Sequence, residues 1–135
     1  MMRCLILSDI HGNLPALELV LKKETSVEQV VNLGDVVNYG PWSNECVELI
    51  ETLDNCINIR GNHEDYFLKG KCECGSDLVE DFFKHCYSDF SNLDKIQSYE
   101  SEITISGFTL THTIGSNEYV FKDSPKEKNS IKLEL

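Results

Sequence analysis

Residues 5–13, LILSDIHGN, pass from an apolar run directly into an aspartate and a histidine. The run from residue 3 to residue 8 has the length and apolar character of a buried strand that ends in a turn. A carboxylate and an imidazole at the end of such a strand lose hydration, which is unfavourable unless a partner replaces the water. Asp9 and His11 are therefore candidates for binding a ligand at the end of a core strand.

The alternation of strands and helices continues along the chain. Amphipathic helices are predicted within residues 13–24 and 41–53, because apolar residues recur there at helical spacing. Further strands are predicted within residues 27–35 and 56–61. This order is typical of parallel strands joined by right-handed crossovers, so we predict an α/β fold.

The second half of the chain is predicted to contain more helix and a hairpin. Helices are expected within residues 63–70 and 76–90. Four aromatic residues of the second of these helices are expected in the core rather than at a ligand site: Phe82, Phe83, Tyr87 and Phe90. Two strands are predicted within residues 101–113, and the polar tail, residues 122–135, alternates weakly at its end.

The composition is typical of an ordinary globular protein, with 41% hydrophobic and 26% charged residues. We expect one domain over residues 1–135, which is long enough for a core. Twelve Lys and Arg against 23 Asp and Glu give a formal net charge of −11, which argues against binding along a nucleic-acid backbone. A bound metal ion can still admit a small phosphate ester, because it inverts the local charge.

The apolar runs are too short for a membrane span or a signal peptide, so we expect a cytoplasmic protein that does not contact a membrane. The six cysteines are then expected to be reduced. Three of them lie in apolar contexts typical of small core residues: Cys4, Cys46 and Cys56. Cys72 and Cys74, in the polar stretch KCECGSD, could form a zinc site with His85 and Cys86. The spacing fits no common zinc module, and a plain loop is the preferred interpretation.

Polar side chains follow each predicted parallel strand and end the hairpin. They are Asp9 and His11 after the first strand, Asp35 after the second, Asn62 and His63 after the third, and His112 at the end of the hairpin. Ligands of open α/β sheets bind at the carboxyl ends of the strands, so these side chains are expected at one edge. Carboxylate, amide oxygen and imidazole are suitable ligands for hard and borderline divalent metals.

Two metal ions about 3.5–4 Å apart can bind a phosphoryl group and lower the pKa of a shared water to about 7. An aspartate between two loops that carry histidine or asparagine could bridge the two ions. Each residue taken alone has an ordinary structural explanation, as a turn residue or a packed histidine. Their joint placement after consecutive strands favours the metal site.

The chain resembles the calcineurin-like metallophosphoesterases through four motifs in order: DIHGN at 9–13, GDVVNYGP at 34–41, RGNHE at 60–64 and LTHT at 110–113. The likeness extends over about residues 3–121 and is greatest to a branch of small bacterial and archaeal phosphodiesterase-like proteins. It implies a four-layer α/β/β/α sandwich with two divalent metal ions, each of which is manganese, iron, zinc or nickel. It also implies that a metal-bound hydroxide hydrolyses small phosphodiesters or phosphomonoesters.

The resemblance gives each of the six polar residues a role. It implies that Asp9 and His11 bind the first metal, that Asp35 bridges, and that Asn62 and His112 bind the second. His63 would be the catalytic residue that protonates the leaving oxygen, oriented by Asp9 or a neighbouring carboxylate.

Two features depart from the family pattern. Asn38-Tyr39 replaces the Asp-Arg pair of related protein phosphatases and dinucleoside tetraphosphate hydrolases, and the bidentate phosphate clamp of the arginine is lost. Simple phosphodiesters are therefore preferred as substrates. The Gly-His-x-His motif that supplies further metal ligands in the family is also absent, since the four histidines stand at positions 11, 63, 85 and 112.

The missing motif leads us to expect a domain truncated at its C-terminus, with reduced activity. The missing segment would leave a sheet edge through which the chain could associate with a second copy. The alternative is an inactive pseudoenzyme or binding module that recognises a phosphorylated ligand or protein partner. A further alternative is that this chain supplies one half of a metal site and another chain completes it.

Overall fold

The computed structural model describes residues 2–113, so the polar tail and its predicted alternation lie outside the described residues. Within that range the chain forms β1 (Cys4–Leu7), α1 (Leu14–Lys23), β2 (Gln29–Asn32), α2 (Ser43–Glu51), β3 (Cys56–Asn58), α3 (Asn62–Lys69), α4 (Asp77–Tyr87), α5 (Leu93–Gln97), β4 (Glu102–Ile105) and β5 (Phe108–Thr111). The short helix α5 is the one element that the sequence did not predict. No helix in this part of the chain is long and apolar enough to cross a membrane.

The first three strands form a parallel sheet in the order β1-β2-β3. Leu5 lies opposite Val30, and Val31 lies opposite Ile57. The last two strands form an antiparallel hairpin with Ile103 opposite Leu110. The parallel sheet with its intervening helices confirms the predicted α/β fold class.

Side chains of the parallel sheet are buried on both of its faces. One face packs against the helices around a core that includes Leu17, Val47, Ile50, Phe67 and Phe83. The other face packs against the hairpin through Val31, Leu33, Ile59 and Leu110. Residues 2–113 therefore contain three layers of the predicted sandwich, and the fourth layer is not among them. That residues 1–135 form a single domain, and that the chain associates through a sheet edge, stay predictions.

The four aromatic residues predicted for the helix within residues 76–90 divide between the core and the surface, and the last of them, Phe90, lies beyond the end of α4 at Tyr87. The rings of Phe83, Tyr87 and Phe90 contact Phe67 edge to face, with centroids 5.4, 5.5 and 4.9 Å away. These three positions confirm the sequence-based expectation. Phe82 contradicts it, because its side chain is 39% exposed. Successive residues of a helix point about 100° apart, so Phe82 lies outside the apolar stripe that contains Phe83.

All six cysteines are free. Cys46 is buried in the core beneath the helices, Cys56 packs at its edge, and Cys4 packs against the core beneath the hairpin, as predicted. Burial raises the pKa of the Cys46 thiol to about 12 and that of Cys56 to about 11. Both thiols are therefore protonated at neutral pH and behave as small apolar side chains.

Candidate metal centre

The loops that follow β1 and β2 run side by side beyond the carboxyl end of the sheet. The backbone N–H of Asp9 donates to the carbonyl of Gly34 at 3.0 Å, and that of His11 donates to the carbonyl of Asp35 at 2.9 Å. These bonds continue the pairing of the two strands into the loops. Asp9, His11 and Asp35 are thereby held next to one another.

A buried carboxylate fixes the loop after β3 to the loop after β2. Glu64, in the first turn of α3, is fully buried. Its two oxygens accept hydrogen bonds from the backbone N–H groups of Asp35 (2.8 Å), Val36 (2.8 Å), Val37 (3.2 Å) and Gly61 (2.8 Å). The pKa of Glu64 is raised, because burial and the Asp35 carboxylate outweigh the backbone donors that lower it. All four hydrogen-bond partners of its oxygens are backbone donors, so the ionised form is nevertheless the one that satisfies this arrangement.

Glu64 belongs to the RGNHE motif but is not among the six site residues that the sequence predicted. The signal that could have found it is an acidic residue three positions after Gly61, at the capping-box position of the helix start. The sequence alone does not show that this acid is buried, nor that it also reaches the loop after β2.

The loops after β2 and β3 approach each other so closely that only glycine fits at positions 34 and 61. A Cβ atom on Gly34 would lie 2.5 Å from the backbone nitrogen of Gly61, and one on Gly61 would lie 2.5 Å from that of Asp35. Real Cβ contacts are not this short, so both glycines are required by the close approach of the backbones.

Backbone strain is concentrated in the same loops. Six non-glycine residues of the described chain have positive φ, and five of them lie in the loops after β1 and β2. These five are Asp9, His11, Asp35, Asn38 and Tyr39, with φ between 47° and 73°. Each such conformation costs on the order of 1–3 kcal/mol and persists where the surrounding structure enforces it, which is commonly at functional sites.

Potential ligand atoms converge in two groups that share one residue. The first group is His11, Asp35 and His63, and the second is Asp9, Asp35 and His112, with the atoms of each group within 4.8 Å of one another. Asp35 is buried, and its Oδ2 lies 3.1 Å from Nε2 of His112 and 3.8 Å from Nε2 of His11. Asp9 Oδ1 lies 3.6 Å from Nε2 of His11, so Asp9 is close to both groups. Asp35 thus stands between two sets of ligand atoms.

Asn62 completes the set that the sequence predicted. Its Oδ1 lies 3.1 Å from Nε2 of His112, which places the amide oxygen beside the second group. The structure therefore brings all six of the predicted site residues to one edge of the sheet.

His11 and His112 are oriented by backbone carbonyls. Nδ1 of His11 lies 3.0 Å from the carbonyl oxygen of Val37, and Nδ1 of His112 lies 2.8 Å from that of Leu33. A carbonyl can only accept, so Nδ1 carries a proton in both rings. Nε2 is then the atom turned to the carboxylates, an arrangement common among metal-binding histidines.

The carboxylates raise the pKa of both rings. Burial alone lowers the pKa of His112, but Asp35, the Leu33 carbonyl and Asp9 outweigh it and raise that pKa to about 9. Burial likewise lowers the pKa of His11, and Asp9, the Val37 carbonyl and Asp35 together outweigh it. At neutral pH a metal ion that binds Nε2 of His112 would therefore displace a proton.

His63 has a different environment. It is buried, burial lowers its pKa, and its Nδ1 lies 3.0 Å from Nδ2 of Asn38. Its backbone N–H donates to Oδ1 of Asp35 at 2.9 Å. The side chain that orients this ring is thus an amide, which corrects the expectation that Asp9 or a neighbouring carboxylate does so. The Asp35 carboxylate instead accepts a hydrogen bond from the backbone N–H of His63.

The alternative cysteine site is not formed. Among residues 2–113, the groups of three or more potential ligands are the two that share Asp35. Cys72 is buried while Cys74 and His85 are exposed, and they do not join Cys86 in such a group. The preferred interpretation of KCECGSD as a loop agrees with this arrangement.

Comparison with known proteins points to one family. A family model described as calcineurin-like phosphoesterase matches residues 2–131. The uncharacterized protein MJ0912 of Methanocaldococcus jannaschii is 50% identical over 68 residues, which are 49% of this chain and 27% of that protein. The phosphodiesterase YfcE of Escherichia coli K12 is 49% identical over 73 residues, which are 46% of this chain and 40% of that protein.

The fold comparison agrees with the sequence comparison. The crystal structure of a metallophosphoesterase from Sphaerobacter thermophilus matches with a TM-score of 0.68 and 32% identity, over 81% of this chain and 45% of that chain. The matches thus cover less than half the length of each of these relatives.

We predict that Glu64→Gln strongly destabilises the protein. The substitution places an amide NH₂ against backbone N–H groups in a buried position, which should cost about 3 kcal/mol or more. Urea unfolding followed by circular dichroism measures the change. The control is Asp65→Asn, since Asp65 is half exposed and its 3.0 Å ion pair with Arg60 is a surface contact worth about 1 kcal/mol or less. Equal stability of the two variants would show that the Glu64 carboxylate does not hold the loops.

Proposed function

The chain belongs to the calcineurin-like phosphoesterase family, and from that premise we propose that it hydrolyses small phosphate esters with two divalent metal ions at the candidate metal centre. The observation that carries the proposal is Asp35, whose buried carboxylate belongs to both groups of ligand atoms. A carboxylate in that position can neutralise two cations at once. The phosphodiesterase YfcE, as a relative, favours phosphodiesters as the first substrates to test, with phosphomonoesters next.

The side chains present are suitable for divalent ions. Imidazole nitrogen together with carboxylate and amide oxygen fits manganese, iron, zinc and nickel. In the proposed assignment one ion is held by Asp9, His11 and Asp35 and the other by Asp35, Asn62 and His112. Asp9 is near enough to His112 to contribute to either ion.

Two bound ions would polarise the phosphoryl group and lower the pKa of a water molecule beside it. The protein's own part in the reaction is then assigned to His63, which donates a proton to the leaving oxygen. Burial lowers the pKa of His63, so its protonated ring is a stronger acid than an exposed imidazole.

The Asn38 amide can accompany His63 through this proton transfer. Its Nδ2 faces Nδ1 of the ring, and its Oδ1 is buried with no hydrogen-bond partner among the described residues. Nδ2 suits the neutral ring, because it donates to a bare Nδ1. After rotation of the amide by half a turn, Oδ1 would accept from the Nδ1–H of the protonated ring. An amide therefore serves both protonation states, whereas a carboxylate would favour the protonated one.

We predict that Asp35→Asn removes most of the stabilisation that metal ions give the fold. Binding to the folded state alone raises the melting temperature, and an amide cannot neutralise two cations. The measurement is the shift in melting temperature on adding manganese, compared between the wild type and the variant. Asp54→Asn is the control, since Asp54 is exposed and lies in the turn that precedes β3, at the opposite end of that strand. A full metal-induced shift in Asp35→Asn would exclude Asp35 from the site.

We further predict that His63→Asn lowers kcat for alkyl phosphoesters about 100-fold or more and for nitrophenyl esters by about tenfold or less. An alkoxide needs a proton to leave and a nitrophenolate does not, so loss of a general acid affects the two unequally. His85→Asn, at an exposed position of α4, is the matched control.

Equal losses on both substrates would assign His63 to positioning or metal binding instead. Binding of metal and phosphate without any turnover by the wild type would favour the alternative of a binding module.

A further inference from the structure

Two exposed aromatic rings lie beside the candidate metal centre. Tyr39, in the loop after β2, is 36% exposed, and Phe82, on α4, is 39% exposed. Their ring centroids are 5.4 Å apart and the planes meet at 76°. We call these two residues the aromatic pair.

Tyr39 connects the aromatic pair to the centre. Its ring centroid lies 4.7 Å from that of His11 and 4.9 Å from that of His63. The residue has φ of +65°, which is unfavourable for a bulky side chain. The next residue fixes this turn, because the N–H of Gly40 lies 2.9 Å from the carbonyl oxygens of both His11 and Asn38. The ring is thus held at the centre by a strained and well-anchored backbone.

Phe82 is exposed, whereas the next residue of α4, Phe83, is buried. Phe83 and Tyr87 enter the core, and burial of a phenyl ring is favourable. A single exposed apolar side chain needs no explanation, and Leu78 of the same helix is 67% exposed. Phe82 differs from Leu78 because its ring contacts Tyr39 and so extends the surface of the centre outward.

The charged side chains of the centre are paired with one another. Within residues 2–113, the ion-pair partners of the Asp9 and Asp35 carboxylates are histidines, and the nearest arginine in sequence to His63, Arg60, is paired with Asp65. Beside these groups a planar ring on a substrate would meet two aromatic side chains, Tyr39 and Phe82.

We propose that the aromatic pair is the subsite for a planar aromatic ring carried by the phosphate ester. The substrates are then esters that bear an aryl group or a nucleobase rather than a simple alkyl chain. Such a ring would pack on Tyr39 and Phe82 in the offset or edge-to-face geometry that aromatic pairs prefer. This inference rests on the proposed function, since the phosphoryl group must bind at the metal centre for the ring to reach the pair.

Calorimetric titration of the full chain in manganese tests the inference without turnover. The probes are methylphosphonate, cyclohexylphosphonate and phenylphosphonate, which share a head group and differ in the attached group. We expect phenylphosphonate to bind about three- to tenfold more tightly than cyclohexylphosphonate, which has similar bulk but no aromatic face. In Phe82→Ala this preference should fall to about twofold or less, with the affinity for methylphosphonate unchanged. Leu78→Ala, one turn away, should keep the preference.

A second pair of probes separates the two sources of the ring. Adenosine 5′-monophosphate and ribose 5-phosphate differ by a nucleobase one sugar away from the phosphate. Tighter binding of the nucleotide, abolished in Phe82→Ala, identifies a nucleobase as the ring. A preference confined to phenylphosphonate identifies an aryl group attached directly to the ester oxygen.

The outcomes that overturn the inference are distinct from those that overturn the proposed function. Equal affinities of the three phosphonates, or an unchanged preference in Phe82→Ala, exclude the aromatic pair as a subsite while phosphoryl binding stands. Failure of every phosphonate to bind, together with no hydrolysis of bis-nitrophenyl phosphate, overturns both.

Discussion

The Glu64 carboxylate accepts four backbone hydrogen bonds while fully buried, and it joins the loop that carries Asp35 to the start of the helix that carries His63. A buried charge is tolerable only when its hydrogen bonds are complete. This requirement fixes the position of Gly61 relative to Asp35 within a narrow range, and the two glycines make so close an approach sterically possible. The spacing of the candidate metal ligands is therefore set by a residue that is not itself one of them.

The strained backbone of the centre is a consequence of this anchoring. Five residues with positive φ lie in two adjacent loops, and each would relax to a more favourable conformation in a free chain. The bonds from Asp9 to Gly34 and from His11 to Asp35 prevent that relaxation, because the loops are paired like continued strands. Side chains held in this way need not reorganise when a ligand binds, which is the condition under which fixed groups assist a reaction most.

The sequence predicted the fold class and the residues gathered at the sheet edge because both depend on order along the chain. Parallel strands bring their carboxyl ends to one edge, so whatever follows each strand meets there. The sequence could not predict features that depend on how deeply a side chain is buried and on which way it points. Glu64 and Asp65 are adjacent acids, and only packing shows that one is buried and the other is not. Likewise, Asn38 is separated from His63 by 25 positions, and neither spacing nor charge marked the amide as its partner.

His112 makes the candidate centre depend on both sheets. It follows β5, while the other five site residues follow the parallel strands, and its Nδ1 bonds to the carbonyl of Leu33 at the end of β2. The hairpin is held on the sheet by the apolar contacts of Leu110 with Val31, Leu33 and Ile59. Any ligand that binds His112 together with Asp35 must therefore bind the docked hairpin more tightly than the undocked one. By linkage the ligand stabilises that packing by the same free energy. The apolar contacts between the hairpin and the parallel sheet and the metal centre therefore form one thermodynamic unit.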